Sequence, residues 1–117
     1  NFIIMKRKTT KHNSLIPKQI RIGYRTIHIE QTTMDDFGEF KNNEGKIKIS
    51  NNQTEIEKCN TLIHESLHGL VEDRINDLLT HKQEEIVVNT FSNGLVLLLK
   101  DNPKLLEYIY KTIKNKK

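Results

Sequence analysis

Apolar and polar residues alternate along the first half of the chain, which is the pattern of half-buried β-strands. The alternation runs from Gln19 to Tyr24 and resumes through Ile29, with Gly23 at the change of phase. A glycine at such a point is typical of a tight turn or a bulge. A further alternating segment, Lys46–Ser50, carries lysines on one side, which is typical of a protected sheet edge. We therefore expect a small sheet in which Lys46–Ser50 is an edge strand.

The spacing of apolar residues changes to three and four residues after Thr54, which predicts helices in the second half of the chain. Thr54 and Glu57 form a T-x-x-E capping box, which is a helix-start signal. A second helix is predicted from about Lys82 to about Lys100, and a short third helix after Pro103. The apolar stripe of the first helix comprises Ile56, Cys59, Leu62, Ile63, Leu67, Leu70 and Val71.

The order of the elements, strands first and helices afterwards, predicts an α+β fold. We expect a small mixed three- to four-stranded sheet packed against an active-site helix, a glutamate-bearing helix and a short C-terminal helix. A chain of 117 residues forms a single domain, which we assign to residues 16–110. Residues 1–15 are expected to form a basic flexible arm, and residues 111–117 a basic tail.

The charge distribution argues against nucleic acid as the main partner. The chain has a net charge of +4 and an isoelectric point near 9.2. Residues 1–11 and 111–117 contribute eight positive charges and no negative ones, so the remainder is net −4. The domain lacks a basic face interleaved with aromatic residues, which a specific nucleic-acid binder would need. Nucleic-acid binding is therefore not the expected function.

The single cysteine, Cys59, excludes an internal disulfide, and no apolar run reaches the length of a membrane span. Cys59 is expected to be a small buried residue, because it lies on the apolar stripe of the first helix. These features predict a cytoplasmic protein that does not act on a membrane.

The most informative pattern is an H-E-x-x-H motif formed by His64, Glu65 and His68 within the first predicted helix. Residues four apart share one helix face, so both imidazoles can bind the same metal ion. Glu65 lies one step around the helix, where its carboxylate can reach a water molecule on the metal rather than the metal itself. Glu65 can then take the proton of that water and deliver it to a leaving amine. The motif predicts a Zn²⁺ site with Glu65 as the catalytic base.

A catalytic zinc ion requires a third protein ligand. Metzincins carry a histidine six residues after the second one, and Arg74 occupies that position in this chain, so it is not a metzincin. Glu85 is our first choice, because it precedes Val88 by three residues and therefore lies beside the buried stripe of the second helix. Glu84 and His81 remain alternatives.

Several segments together resemble the small gluzincin-type metallopeptidases of phages and prophages, a set that includes the ImmA/IrrE and SprT-like groups. The segments are residues 16–23 (IPKQIRIG), 64–68 (HESLH), 85–95 (EIVVNTFSNGL) and 101–103 (DNP). The resemblance spans residues 16–107.

This resemblance implies a zinc site formed by His64, His68 and Glu85, with Glu65 as the general base. It also implies a minimal protease core of one sheet and a few helices, whose edge strand binds an extended peptide. Lys46–Ser50 is the candidate for that strand. The expected partner is a protein or peptide substrate, and the phage members of the family suggest a repressor or another regulator.

A second class of function uses the same ligands without catalysis. In that alternative the chain is a zinc-stabilised, catalytically weak regulatory binding module, because a domain this small gains stability from a metal that joins two helices. Glu65 discriminates between the two hypotheses, since a structural zinc site does not need a general base.

Overall fold

The fold is α+β, as the order of the predicted elements requires. The computed structural model describes residues 15–74 and 78–115. Within this part, a four-stranded sheet packs against the first of three helices. The elements are β1 (Gln19–Ile22), β2 (Arg25–Thr32), β3 (Gly38–Lys41), β4 (Lys46–Ser50), α1 (Glu55–Arg74), α2 (His81–Asp101) and α3 (Pro103–Lys114).

The turn between β1 and β2 follows the sequence prediction. Ile22 pairs with Arg25, so the hairpin loop consists of Gly23 and Tyr24. Gly23 has a φ of +60°, which a glycine adopts without steric cost and which two-residue hairpin turns require. The strand alternation predicted through Tyr24 ends at Ile22, because Tyr24 lies in the turn and is exposed.

The strand order is β1-β2-β4-β3, so the prediction that Lys46–Ser50 is an edge strand is wrong. This segment, β4, pairs in parallel with β2 and antiparallel with β3. Its alternation reflects its two faces. Ile47 and Ile49 are fully buried on one face, while Lys46 on the other face forms an ion pair with Glu30 of β2 at 3.1 Å. The edge strand on this side of the sheet is β3.

The buried core lies between the sheet and α1. Four isoleucines, Ile22, Ile27, Ile47 and Ile49, form its centre, and Leu62 of α1 packs against them. α2 lies against α1 and adds a fully buried Val88.

The sheet-facing ridge of α1 differs from the predicted apolar stripe. Thr61, Glu65 and Gly69 follow one another at four-residue intervals, and all three are buried. A side-chain carbon on Gly69 would lie 2.9 Å from Ile22 Cδ1, so the helix approaches the sheet closely there. Cys59 lies off this ridge and is exposed, which corrects the prediction that it is a core residue.

The C-terminal helix, α3, extends further than predicted. It continues to Lys114, so residues 111–114 are helical, whereas we assigned them to the tail. The predicted arm falls almost wholly on residues 1–14, which lie outside the described part. No helix of the described residues is long and apolar enough to cross a membrane.

Gly38 lets β3 approach α1. A Cβ at this position would lie 2.5 Å from Thr61 Cγ2 and 2.9 Å from the Lys48 carbonyl oxygen. We expect Gly38→Ala to lower the free energy of unfolding by about 1–3 kcal/mol, because the added methyl group overlaps the backbone of the neighbouring strand. Urea denaturation measures the change.

The matched control for this substitution is Gly94→Ala. Gly94 lies inside α2, and a Cβ added there would have no neighbouring atom within 4 Å. Alanine should therefore raise the free energy of unfolding by about 0.5–1 kcal/mol through helix propensity alone. If both variants gained stability, β3 would not lie this close to α1.

Candidate metal centre

The capping box predicted for α1 is present, and it sets the start of the helix that carries the site. The Thr54 amide donates a hydrogen bond to Glu57 Oε1 at 2.8 Å. The Glu57 amide donates in return to Thr54 Oγ1 at 3.2 Å. The H-E-x-x-H motif therefore begins more than two turns inside a regular helix.

A second capping box sets the start of α2. The Thr80 side chain accepts a hydrogen bond from the Gln83 amide, and the Gln83 side chain accepts one from the Thr80 amide. Glu84 and Glu85 consequently fall in the first turns of α2, beside His68 of α1. At the other end of the contact, Asn60 donates to Asn93 at 2.8 Å, so the two helices run antiparallel.

Three predicted ligands meet between these helices. The Nε2 atoms of His64 and His68 are 3.2 Å apart. Glu85 Oε1 lies 3.4 Å from His64 Nε2 and 3.3 Å from His68 Nε2. Among the described residues, this is the group of His, Cys and acidic side chains that could hold a metal ion.

The spacing of these three atoms fits zinc. Protein ligands bind Zn²⁺ at about 2.0–2.1 Å in a tetrahedral arrangement, which separates the ligand atoms by about 3.3 Å. The three observed separations lie between 3.2 and 3.4 Å. Two imidazoles and one carboxylate are also a donor set that zinc accepts, with one coordination position left for another ligand.

The alternatives for the third ligand lie elsewhere. His81 is exposed and lines the same cleft, but it is not a member of the three-residue group. Glu84 contacts the far nitrogen of one imidazole, with 2.6 Å between Glu84 Oε2 and His68 Nδ1.

The two histidines have different electrostatic surroundings in the metal-free chain. Burial, reinforced by the charge of His68, lowers the pKa of His64. Burial also acts to lower the pKa of His68, but the hydrogen bond with Glu84 and the charge of Glu85 outweigh it and raise that pKa. His64 is therefore neutral at pH 7, which is the form that binds a metal.

Glu65 is buried on the other side of the motif, against the sheet. Burial above all, together with the charge of Glu85, raises the pKa of its carboxyl group to about 7, although the charge of His68 and a hydrogen bond from the Phe40 backbone amide act to lower it. Glu65 is thus held between the two histidines of α1 and the edge strand β3. A carboxylate with such a pKa in a cleft is typical of a functional site.

The metal-ligand group opens into a cleft of about 960 Å³ between β3, α1 and α2. Gly38 and Phe40 line one wall, and Asn89 and Asn93 line the opposite one. The Ser50 amide of β4 donates to the Phe37 carbonyl at 2.8 Å. Because backbone groups alternate in direction along a strand, Gly38 and Phe40 direct theirs away from β4, towards the cleft.

Two features of the site lie beyond the sequence analysis. A short strand around Phe40 is compatible with the sequence, but its weak alternation gives no indication that this strand, β3, lies beside Glu65. The contact between Glu84 and His68 Nδ1 was not predicted either, because helical facing alone does not determine which of two adjacent glutamates contacts which atom of a ring.

We expect the purified chain to hold about one zinc ion per molecule, as for a site with three protein ligands. His64→Ala and Glu85→Ala should each abolish stoichiometric binding, because each removes one of those ligands. Glu72→Ala and His81→Ala are the controls, since both side chains line the cleft outside the ligand group. Elemental mass spectrometry gives the metal content, and loss of zinc from His81→Ala but not from Glu85→Ala would refute this ligand set.

Neither protein-family models, nor curated proteins, nor solved structures show a significant match to this chain. Any assignment of function must therefore come from the residues of this chain and their arrangement.

Proposed function

We propose that this chain is a zinc-dependent metallopeptidase that hydrolyses a peptide bond in a protein or peptide substrate. The observation that supports this most strongly is the position of Glu65. Its carboxyl group is buried next to a three-ligand group with the spacing of a zinc site, and both line one open cleft. A site that only stabilised the fold would not need this carboxylate.

In this proposal, His64, His68 and Glu85 hold the metal. A bound Zn²⁺ would supply Lewis acidity, which makes water more acidic and polarises a carbonyl group. Glu65 accepts a proton from the attacking water as the oxygen of that water adds to the carbonyl carbon. Glu65 then delivers that proton to the amine nitrogen as the carbon–nitrogen bond breaks. The hydrogen bond from the Phe40 amide holds the Glu65 carboxylate in the cleft.

The edge strand β3 supports a peptide as the substrate class. The carbonyl groups of Gly38 and Phe40 face the cleft on the side away from β4. An extended peptide can add to such an edge through backbone hydrogen bonds. In this arrangement the substrate would lie along β3 with a peptide bond beside Glu65. The peptide-binding edge is therefore β3 rather than Lys46–Ser50.

The second candidate is a zinc-stabilised binding module without useful turnover. The small core favours it, since the buried apolar residues of the described part are Ile22, Ile27, Ile47, Ile49 and Val88. A metal that joins α1 to α2 would add substantially to the stability of such a domain. A binding module would tolerate the loss of the Glu65 carboxylate.

Glu65→Gln distinguishes the two functions. We expect this variant to retain zinc, because Glu65 is not a ligand, and to lose peptide cleavage by at least about 100-fold, the usual contribution of a general base. The assay is incubation of the zinc-loaded chain with a complex peptide mixture, with new termini identified by mass spectrometry.

Glu72→Gln is the matched control, because Glu72 lies on the same helix and lines the same cleft. It should cleave as the unmodified chain does. Equal cleavage by Glu65→Gln and the unmodified chain would contradict the peptidase mechanism. Zinc-loaded chain that cleaves nothing in the mixture would favour the binding module.

A further inference from the structure

His68 is contacted on both of its ring nitrogens by adjacent glutamates. Glu85 Oε1 lies 3.3 Å from Nε2, and Glu84 Oε2 lies 2.6 Å from Nδ1. Successive residues of a helix point about 100° apart, which lets the two carboxylates reach opposite sides of one ring. Their exposure differs accordingly. The Glu85 side chain is 43% exposed and the Glu84 side chain only 16%.

We propose that Glu84 is a positioning residue, which holds His68 with its proton on Nδ1 and its Nε2 lone pair directed at the metal. This rests on the metal site of the proposed function. A neutral imidazole has one donor nitrogen and one acceptor nitrogen. An ionised carboxylate only accepts hydrogen bonds, so Nδ1 must be the donor in this contact. Nε2 is then left free to bind a metal.

The contact is short and largely shielded from water. The His68 side chain is 13% exposed and that of Glu84 16%, so solvent screens the interaction less than at the surface. A charge-assisted hydrogen bond in such surroundings is stronger than one between neutral groups. It fixes the orientation of the ring and makes Nε2 a better electron donor, and both effects strengthen metal binding.

The two metal-binding histidines differ in this respect. Among the described residues, no carboxylate contacts Nδ1 of His64, whose contacts with Glu85 and His68 both involve Nε2. Loss of Glu84 should therefore remove the preference of the metal-free His68 ring for a proton on Nδ1 and alter the surroundings of Nδ1 in the zinc-loaded chain, while His64 stays as it was. The His64 ring therefore serves as an internal reference for His68 in the same molecule.

The test is zinc affinity, measured by competition with a chromophoric chelator. We expect Glu84→Ala to bind one zinc ion about 10- to 100-fold more weakly than the unmodified chain, which is the usual cost of losing such a partner. Glu84→Gln keeps a hydrogen-bond acceptor without the charge, so its affinity should fall between the two. Glu85→Ala, which removes a ligand, should lose more zinc affinity than Glu84→Ala. Glu72→Ala should keep the zinc affinity of the unmodified chain.

A second measurement separates a positioning role from a purely structural one. Two-dimensional ¹H–¹⁵N spectra of the histidine rings report which nitrogen carries the proton. In the zinc-loaded unmodified chain, His68 should be protonated at Nδ1, and Glu84→Ala should shift this signal while the His64 signal stays in place. A defect confined to helix packing would lower stability without this selective shift. The spectrum of the unmodified chain applies even if the variants do not fold.

Three results would overturn the proposal, and they differ in what else they affect. Unchanged zinc affinity in Glu84→Ala, together with weakened binding in Glu85→Ala, would exclude the positioning role and leave the metal site intact. A His68 ring protonated at Nε2 in the zinc-loaded chain would exclude the positioning role and would also exclude His68 Nε2 as a metal ligand. Failure of the unmodified chain to bind zinc would overturn both this role and the proposed function.

Discussion

The antiparallel packing of α1 against α2 is the constraint on which the rest of the site depends. The helices are joined at one end by Asn60 and Asn93 and at the other by His68 and Glu84. Between these ends lies Val88 of α2, which is fully buried. This packing brings Glu85 within 3.4 Å of both imidazoles. A shift of α2 by one residue would turn Glu85 about 100° away from the histidines.

The same packing concentrates negative charge where water is partly excluded. Glu65, Glu84 and Glu85 all lie around the two histidines, and the charge of Glu85 contributes to the raised pKa of Glu65. Such a cluster is unfavourable in the chain alone, since like charges in a low dielectric repel one another. A divalent cation between the helices would remove much of this cost. The polar ridge of α1 therefore makes physical sense as part of a metal site, although apolar side chains in the same places would give a better-packed core.

Local signals predicted most of the fold and the grouping of His64, His68 and Glu85. The capping box at Thr54, the spacing of the motif residues and the facing of Glu85 all depend on contacts within one helix or on helical geometry. The strand order and the exposure of Cys59 depend on which elements meet, and the sequence pattern carries little information about that. Alternation in Lys46–Ser50 correctly indicated two unlike faces. It did not indicate which strands lie on either side, so the edge was assigned to the wrong strand.

The central claim is that two histidines of α1 and Glu85 of α2 form one zinc site beside Glu65. Anomalous X-ray diffraction at the zinc edge, on crystals of the zinc-loaded chain, tests it most directly. The account predicts one strong peak in the cleft, about 2.0–2.2 Å from His64 Nε2, His68 Nε2 and a carboxylate oxygen of Glu85. A peak bound instead by Glu84 or His81, or no peak between α1 and α2, would contradict it.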